Sequence, residues 1–261
     1  MVATVRFSLF QGGINMTLSN HLFLSNNDFI AFSFKKNDTL IHHYNKNKLF
    51  PSASLIKVPI MYYIFSERYH DLNLQLTLDT AVEGAGVTPY LTQKSYPVKD
   101  LVTLMIILSD NLATNTLIEW IGIEQLNQFM QSIGLSQTKL QRKMMDFDAI
   151  REGKDNFTSM HDMNLLLDNI IQHPHFEEMF DIMKHQLCKD KTLMYLEQYN
   201  ATEWMEIGTK TGDLSTVFHE AGIIRTKDSI ATFVALTTGD DAPLLHQAFH
   251  TFGLSLPQLM R

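Results

Sequence analysis

The stretch "MIILSDNLATNTLIEW", residues 105–120, joins two apolar helical runs through three small polar residues, Ser109, Asp110 and Asn111. A connector of this kind normally runs over the surface and is punctuated by glycine or proline. Neither is present here. The apolar flanks sit so close that the three polar side chains are expected to face the interior. Taken alone, the tripeptide also fits an Asx-type turn between two helices.

Outward from this junction, "VKDLVTLMIILS" (98–109) and "LATNTLIEWIG" (112–122) are predicted helices, and "IEQLNQFMQSIG" (123–134) is a third, ended by Gly134. Residues 135–157 have no clear period and read as a long loop, a length that in a compact domain points to function. "TSMHDMNLLLDNII" (158–171) starts on a Thr/Ser cap, and "FEEMFDIMKHQL" (176–187) is again helical. Towards the amino terminus, "FPSASLIKVPIMYYIFSERY" (50–69) predicts a buried helix that begins near Ser52 to Ser54, with Pro59 early enough to be tolerated. Residues 79–97 are irregular.

The β-prone runs lie at the two ends. "DFIAFSF" (28–34) and "TLIHHYN" (39–45) form a hairpin across "KKND". "STVFHEAGIIRT" (215–226) and "SIATFVALTTG" (229–239) turn at Lys227-Asp228, and a helix at about 241–252 follows. This order predicts an α+β fold, an antiparallel sheet built from both termini and flanked by helices, with an all-helical lobe between. The expected organisation is an amino-terminal arm (1–27) and a single domain (28–261). Residues 28–52 and 200–261 form its sheet part and 53–199 its helical part.

Composition narrows the function. The chain has 261 residues, a formal net charge of −7 and only short basic spots such as "FKKN" and "NKNK", so no nucleic-acid face is expected. Cys188 is the only cysteine, which excludes an intrachain disulfide and a Cys-rich metal site. No apolar run approaches the roughly 18 residues of a membrane helix. Arg6 interrupts the one apolar stretch of the amino terminus, which makes a poor signal peptide and places the protein in the cytoplasm. "HPHFEE" (173–178) reads as a surface turn rather than a metal site, and "GAG" (84–86) follows no strand and opens no helix, as a nucleotide loop must. No metal and no cofactor is expected.

Three short motifs carry chemistry. Ser54-Leu55-Ile56-Lys57 places a hydroxyl and an amine three residues apart at the start of an apolar helix, on one face. A desolvated lysine can serve a serine nucleophile as base. A serine cap beside a snorkelling lysine is the plain alternative, and the same spacing recurs at Ser33/Lys36 and Ser136/Lys139. The second motif is Ser109-Asp110-Asn111. The third, Lys210-Thr211-Gly212, follows an apparent strand, "WMEIG", and its glycine permits close approach of a ligand to the backbone.

In this order and on these elements, Ser-X-X-Lys, Ser-Asp-Asn and Lys-Thr-Gly resemble the signature of class A β-lactamases and penicillin-binding proteins. The resemblance runs from about Asp28 to the carboxy terminus and implies a β-lactamase/transpeptidase-like fold with the active site between sheet and helical lobe. It implies Ser54 as acyl-accepting nucleophile, Lys57 as its proton acceptor and Ser109 as proton donor to the leaving nitrogen. It further implies that Asn111 holds Lys57 and the substrate amide, that Asp110 points inward to pin the loop, and that Lys210 and Thr211 bind the substrate carboxylate. The N–H groups of Ser54 and Asp213 would form the oxyanion hole, beside Gly212.

Two departures stand out. In the loop "TKLQRKMMDFDAIREGKDN", matching Thr138-Lys139-Leu140 to the family's start puts Met144 where the water-activating glutamate belongs. Asp148 then takes the place of an asparagine and becomes the candidate substitute base, with Asp146 and Glu152 behind it. His219 falls near the position of a carboxylate-gripping arginine, where a mostly neutral imidazole grips weakly; a half-buried strand histidine is the alternative. The expected substrate is a small β-lactam or peptide-like molecule. The function that the resemblance implies is a serine acyl-enzyme hydrolase of the class A type, with slow deacylation expected from the missing glutamate. Its rivals are an amidase, peptidase or esterase acting on another acyl compound, and a sensor that acylates without turnover.

Overall fold

The computed structural model describes residues 28–78, 82–196 and 203–261. The predicted amino-terminal arm lies outside the described residues. Strands β1 (Ile30–Lys36) and β2 (Thr39–Tyr44) turn at Asn37-Asp38, whose φ angles of 47° and 63° are the left-handed pair of a two-residue hairpin. The turn is shorter than "KKND" because Lys35 and Lys36 stay in the ladder.

The carboxy-terminal strands β7 (Glu206–Leu214), β8 (Val217–Arg225) and β9 (Ile230–Thr238) complete an antiparallel sheet of order β2-β1-β9-β8-β7. The two termini meet where β1 pairs with β9, Phe32 opposite Ala235. β8 and β9 are buried along most of their length, as strands covered on both faces must be. Helix α8 (Ala242–Met260) covers one face, packing Phe249 and Phe252 on Phe32 and Phe233. The helical lobe covers the other, where Met179, Phe180 and Met183 join a core with Ala221, Ile223 and Val234.

At the centre of the lobe stands α1 (Lys57–Glu67), buried from Lys57 through Phe65. The chain does not enter it through a serine cap. Ser52 makes no capping bond, and a 3-10 turn, Ala53–Ile56, leads in instead. Pro59 is the third helical residue, where its missing N–H would have no intrahelical partner. Around α1 lie α2 (Val98–Ile107), α3 (Asn111–Ile121) and α4 (Ile123–Ser132). The long loop contains one short helix, α5 (Phe147–Arg151). It ends in β6 (Phe157–Ser159), which pairs with β3 (Leu49–Pro51). Ser159 then caps α6 (Met160–Gln172), and α7 (Phe176–Lys184) follows. The irregular stretch holds a small hairpin partner, β5 (Ser95–Pro97) with β4 (Gln75–Thr77).

Helix α8 runs eight residues past the expected end at 252, through Gly253 and Pro257, two residues that read as breakers. Gly253 is there for contact. A Cβ at that position would overlap the carbonyl of Thr192. Among the described residues no helix is long and apolar enough to cross a membrane.

Gly253→Ala gains about 1 kcal/mol of helix propensity but must displace backbone, an overpacking cost of about 1–3 kcal/mol or more. We expect net destabilisation in urea unfolding. A variant as stable as the parent would show that α8 does not press on the Thr192 segment.

Candidate active site

Ser54 lies half-buried within the 3-10 turn ahead of α1. Ala53, before it, holds a φ of 46°, and the same left-handed region is adopted by Ser109 (54°) and Met145 (63°). For residues with a Cβ other than Asn or Asp this costs about 1–2 kcal/mol each. Each adjoins a residue predicted for the site. Such strain persists only where the surroundings impose it.

Lys57 is fully buried, and its amine meets the Ser109 carbonyl at 2.6 Å, the Ser109 Oγ at 3.0 Å and the Asn111 Oδ1 at 3.0 Å. These contacts take all three of its directions, and the expected contact with the Ser54 hydroxyl is not formed. Lys210, also fully buried, reaches the same Ser109 Oγ at 3.1 Å and the Thr211 carbonyl at 2.7 Å. One hydroxyl therefore bridges two buried amines. Burial, and then the charge of Lys210, hold Lys57 well below the ordinary lysine range. Burial lowers Lys210 to about 8.

Asp110 explains the polar junction. Its carboxylate accepts from the N–H of Ala113 (2.9 Å), Val87 (2.7 Å) and Thr88 (2.9 Å) and from the Thr88 hydroxyl (2.7 Å). It thereby caps α3 and ties the 83–88 loop to it, as its predicted inward orientation requires. Gly86, at φ 122°, leaves no room for a side chain beside this carboxylate. Asn111 is fixed by the same loop, its N–H on the Ala85 carbonyl (2.9 Å) and its Nδ2 on that of Glu83 (3.2 Å).

The long loop is closed at its neck by the Arg142–Asp155 ion pair at 2.8 Å. Asn156 accepts from the N–H of Gln141 and Arg142, and its carbonyl binds the Ser52 N–H at 2.7 Å. Asn115 holds Met144 by both backbone groups, at 2.7 and 3.1 Å. Met144 itself is buried beside a cleft of about 390 Å³ lined by Glu83, Asn115, Met145 and Phe147.

The loop's carboxylates are all engaged elsewhere. Asp148, the predicted substitute base, stands apart from the cluster; its side chain is 82% exposed and paired with Arg151. The sequence alignment placed it near the site, but α5 turns it outward. Asp146 caps α5 through the Ala149 N–H, Glu152 pairs with Lys154, and Asp155 holds Arg142.

The edge strand β7 lies against the nucleophile turn. A Cβ on Gly212 would stand 3.2 Å from the Ala53 Cβ, the Leu55 nitrogen and the Ser52 carbonyl. Glycine here lets the strand carrying Lys210 and Asp213 approach Ser54 closely. Thr211 is 2% exposed and lies opposite Glu220 in the ladder. His219 is not a carboxylate grip. It is fully buried, its Nε2 lies 2.8 Å from the Pro51 carbonyl and its Nδ1 accepts from the Thr237 N–H at 3.0 Å. Burial lowers its pKa to about 4, so the ring is neutral and both nitrogens are used by backbone.

Sequence reasoning missed Asn115, Lys191 and Glu220. Asn115 lies one helical turn after Asn111 and could have been flagged by that spacing. Glu220, a charge inside an apolar strand run, could have been flagged as buried. Lys191 left no signal. Among the described residues no group of three or more metal-ligating side chains converges.

The family model described as "Beta-lactamase enzyme family" matches residues 24–253. A β-lactamase from Sphaerobacter thermophilus DSM 20745 superposes with a TM-score of 0.77 at 24% identity, covering 89% of this chain and 92% of that one. PBP-A superposes at 0.73 and 24% identity over 90% and 92%. A PBP-A variant, an acyl-enzyme complex with penicillin G, does so at 0.74 and 24% over 88% and 89%. No curated protein sequence matches the chain.

The Lys210 amine has a folded pKa of about 8, below its unfolded value near 10.4. Between those values the unfolded state binds the extra proton, so this group adds stability as pH rises. Urea unfolding of the parent and Lys210→Met from about pH 7.5 to 9.5 should show their difference growing by on the order of 1–2 kcal/mol in the parent's favour. A constant difference would mean that Lys210 titrates as an ordinary lysine.

Proposed function

The chain belongs to the β-lactamase enzyme family, and from that premise we propose that it is a serine acyl-enzyme hydrolase that opens a β-lactam or related amide on Ser54 and releases the product slowly. The observation that carries this reading is the Ser109 hydroxyl held between two buried amines, 3.0 Å from Lys57 and 3.1 Å from Lys210. A neutral amine has two N–H groups and one lone pair. The Ser109 carbonyl and the Asn111 Oδ1 take the two N–H groups of Lys57, and the lone pair is left for a hydroxyl. At rest that hydroxyl belongs to Ser109; with substrate bound, Ser54 attacks and passes its proton to Lys57. Ser109 relays a proton to the departing nitrogen, with the largely charged Lys210 behind it. The N–H groups of Ser54 and Asp213 receive the oxyanion, and Lys210 and Thr211 meet a substrate carboxylate. Residues 28–261 act as one unit, with the cleft between its sheet part and its helical part.

Slow release follows from the loop. Asn115 holds the backbone at Met144, but the side chain there cannot accept a proton, and the four loop carboxylates all have other partners. A general base contributes about 10²–10⁴-fold in rate. The PBP-A variant found as an acyl-enzyme with penicillin G supports a penicillin as the probe. That same deficit favours a stalled penicillin-binding protein as the second reading over an efficient antibiotic-destroying enzyme.

Intact-mass analysis after mixing with benzylpenicillin should show one adduct per chain that persists for minutes, and none on Ser54→Ala. Met144→Glu should shorten the adduct's lifetime by about 10-fold or more. An adduct on Ser54→Ala would overturn the nucleophile; rapid clearance in the parent would overturn the assignment of Met144.

A further inference from the structure

Behind the Lys-Thr-Gly strand lies a second buried polar cluster that the chemistry above does not use. Glu220 is fully buried on β8, opposite Thr211. Its Oε2 accepts from the Thr192 N–H at 3.0 Å. The side chains of Thr192 and Thr209 bear on the same buried carboxylate and, with the Thr192 N–H, offset part of the cost of its burial. A carboxylate in the interior is costly wherever it is not satisfied, and burial pushes this one up. Such a group needs a purpose.

Thr192 follows Lys191, which is also fully buried. Its amine lies 2.8 and 3.0 Å from the two carboxylate oxygens of Asp213. Asp213 directly follows Gly212 at the end of the strand that abuts the nucleophile turn. Gly253 of α8 lies against the Thr192 carbonyl of the same segment, and His250 meets the Asp190 carbonyl at 2.9 Å. The contacts form a chain from Glu220 to Thr192, through Lys191, to Asp213.

We propose that Glu220 is a positioning residue: by holding the Thr192 backbone it fixes the Lys191–Asp213 ion pair, and with it the strand end that lies against the nucleophile turn. The inference rests on the proposed role of the Asp213 N–H in the oxyanion hole. Misplacing one such donor typically costs about 10²-fold in rate, with little effect on ground-state binding.

The test compares full-length parent, Glu220→Gln, Glu220→Leu and Asp213→Asn. Asp213→Asn keeps the N–H and removes the ion pair at a side chain that is 46% exposed, so it tests the chain even if Glu220→Leu does not fold. Each is acylated by a fluorescent penicillin, with the maximal acylation rate and the pre-covalent dissociation constant measured separately. Glu220→Leu and Asp213→Asn should lower the maximal rate about 10-fold or more and leave the dissociation constant within about threefold. Glu220→Gln, whose amide oxygen still accepts from Thr192, should recover most of that loss. Hydrogen exchange of residues 190–196 and 213–214 in the same proteins gives a readout independent of acylation, and it should rise in Glu220→Leu alone of the two Glu220 variants. Parent-like rates in both Glu220→Leu and Asp213→Asn, or unchanged exchange in a folded Glu220→Leu, would overturn the proposal. A parent that no penicillin acylates would instead overturn the proposed function, and exchange would then decide the positioning role.

Discussion

Two lysine amines share one serine hydroxyl, and the rest of the site follows from that contact. Lys57 and Lys210 are both fully buried and both within 3.1 Å of the Ser109 Oγ. Two ammonium groups cannot both be held there at acceptable cost, because burial penalises each charge and proximity penalises the pair. Lys57, beside the nucleophile's turn, is the one held well below the ordinary lysine range, by burial and then by the charge of Lys210. Lys210 keeps its proton near neutrality, with Asp213 and Glu220 among the groups that favour its charge. A base and a cation are thus made from the same residue type by their surroundings.

That arrangement needs a backbone that would not hold itself. Ala53, Ser109 and Met145 each adopt a left-handed conformation, the first two at the nucleophile turn and the Ser-Asp-Asn junction and the third beside Met144 of the long loop. The Asp110 carboxylate, with its four hydrogen bonds, and the Asn156 clamp on the long loop supply the rigidity that keeps the strained residues in place. Removing such an anchor affects the site more than its distance from the nucleophile suggests. The Asn115–Met144 bonds have a different consequence. They keep the loop in register although the side chain at that position carries no base, so the deficit is one of chemistry rather than of folding.

Much of this was legible in the sequence. Strands at both ends with helices between them indicated an antiparallel sheet built from the two termini, while the order of its strands is visible only in the structure. The three motifs pointed to Ser54, Lys57, Ser109, Asn111 and Lys210 through their resemblance to the β-lactamase signature, and the structure brings Lys57, Ser109, Asn111 and Lys210 together. What failed depended on tertiary direction. Asp148 was placed by counting along an irregular loop, and one turn of α5 sends it to solvent. His219 was placed by counting along a strand, but saturation of both its nitrogens by Pro51 and Thr237 is not visible in sequence. The helix expected at about 241–252 runs on to Met260, through a glycine that serves as a contact. Glu220 and Lys191 have meaning only once β7, β8 and α8 are assembled.

The central claim is that Lys57 loses its proton well below the ordinary lysine range and so can serve as the base. The most direct measurement is a pH titration of the Lys57 side chain by NMR, using selectively ¹³C-labelled lysine and assigned by comparison with Lys57→Arg. The account predicts a Lys57 resonance that passes to its neutral form well below the ordinary lysine range, while the Lys210 resonance titrates near pH 8. A Lys57 signal that stays in its charged form until about pH 10, as for a solvated lysine, would contradict it.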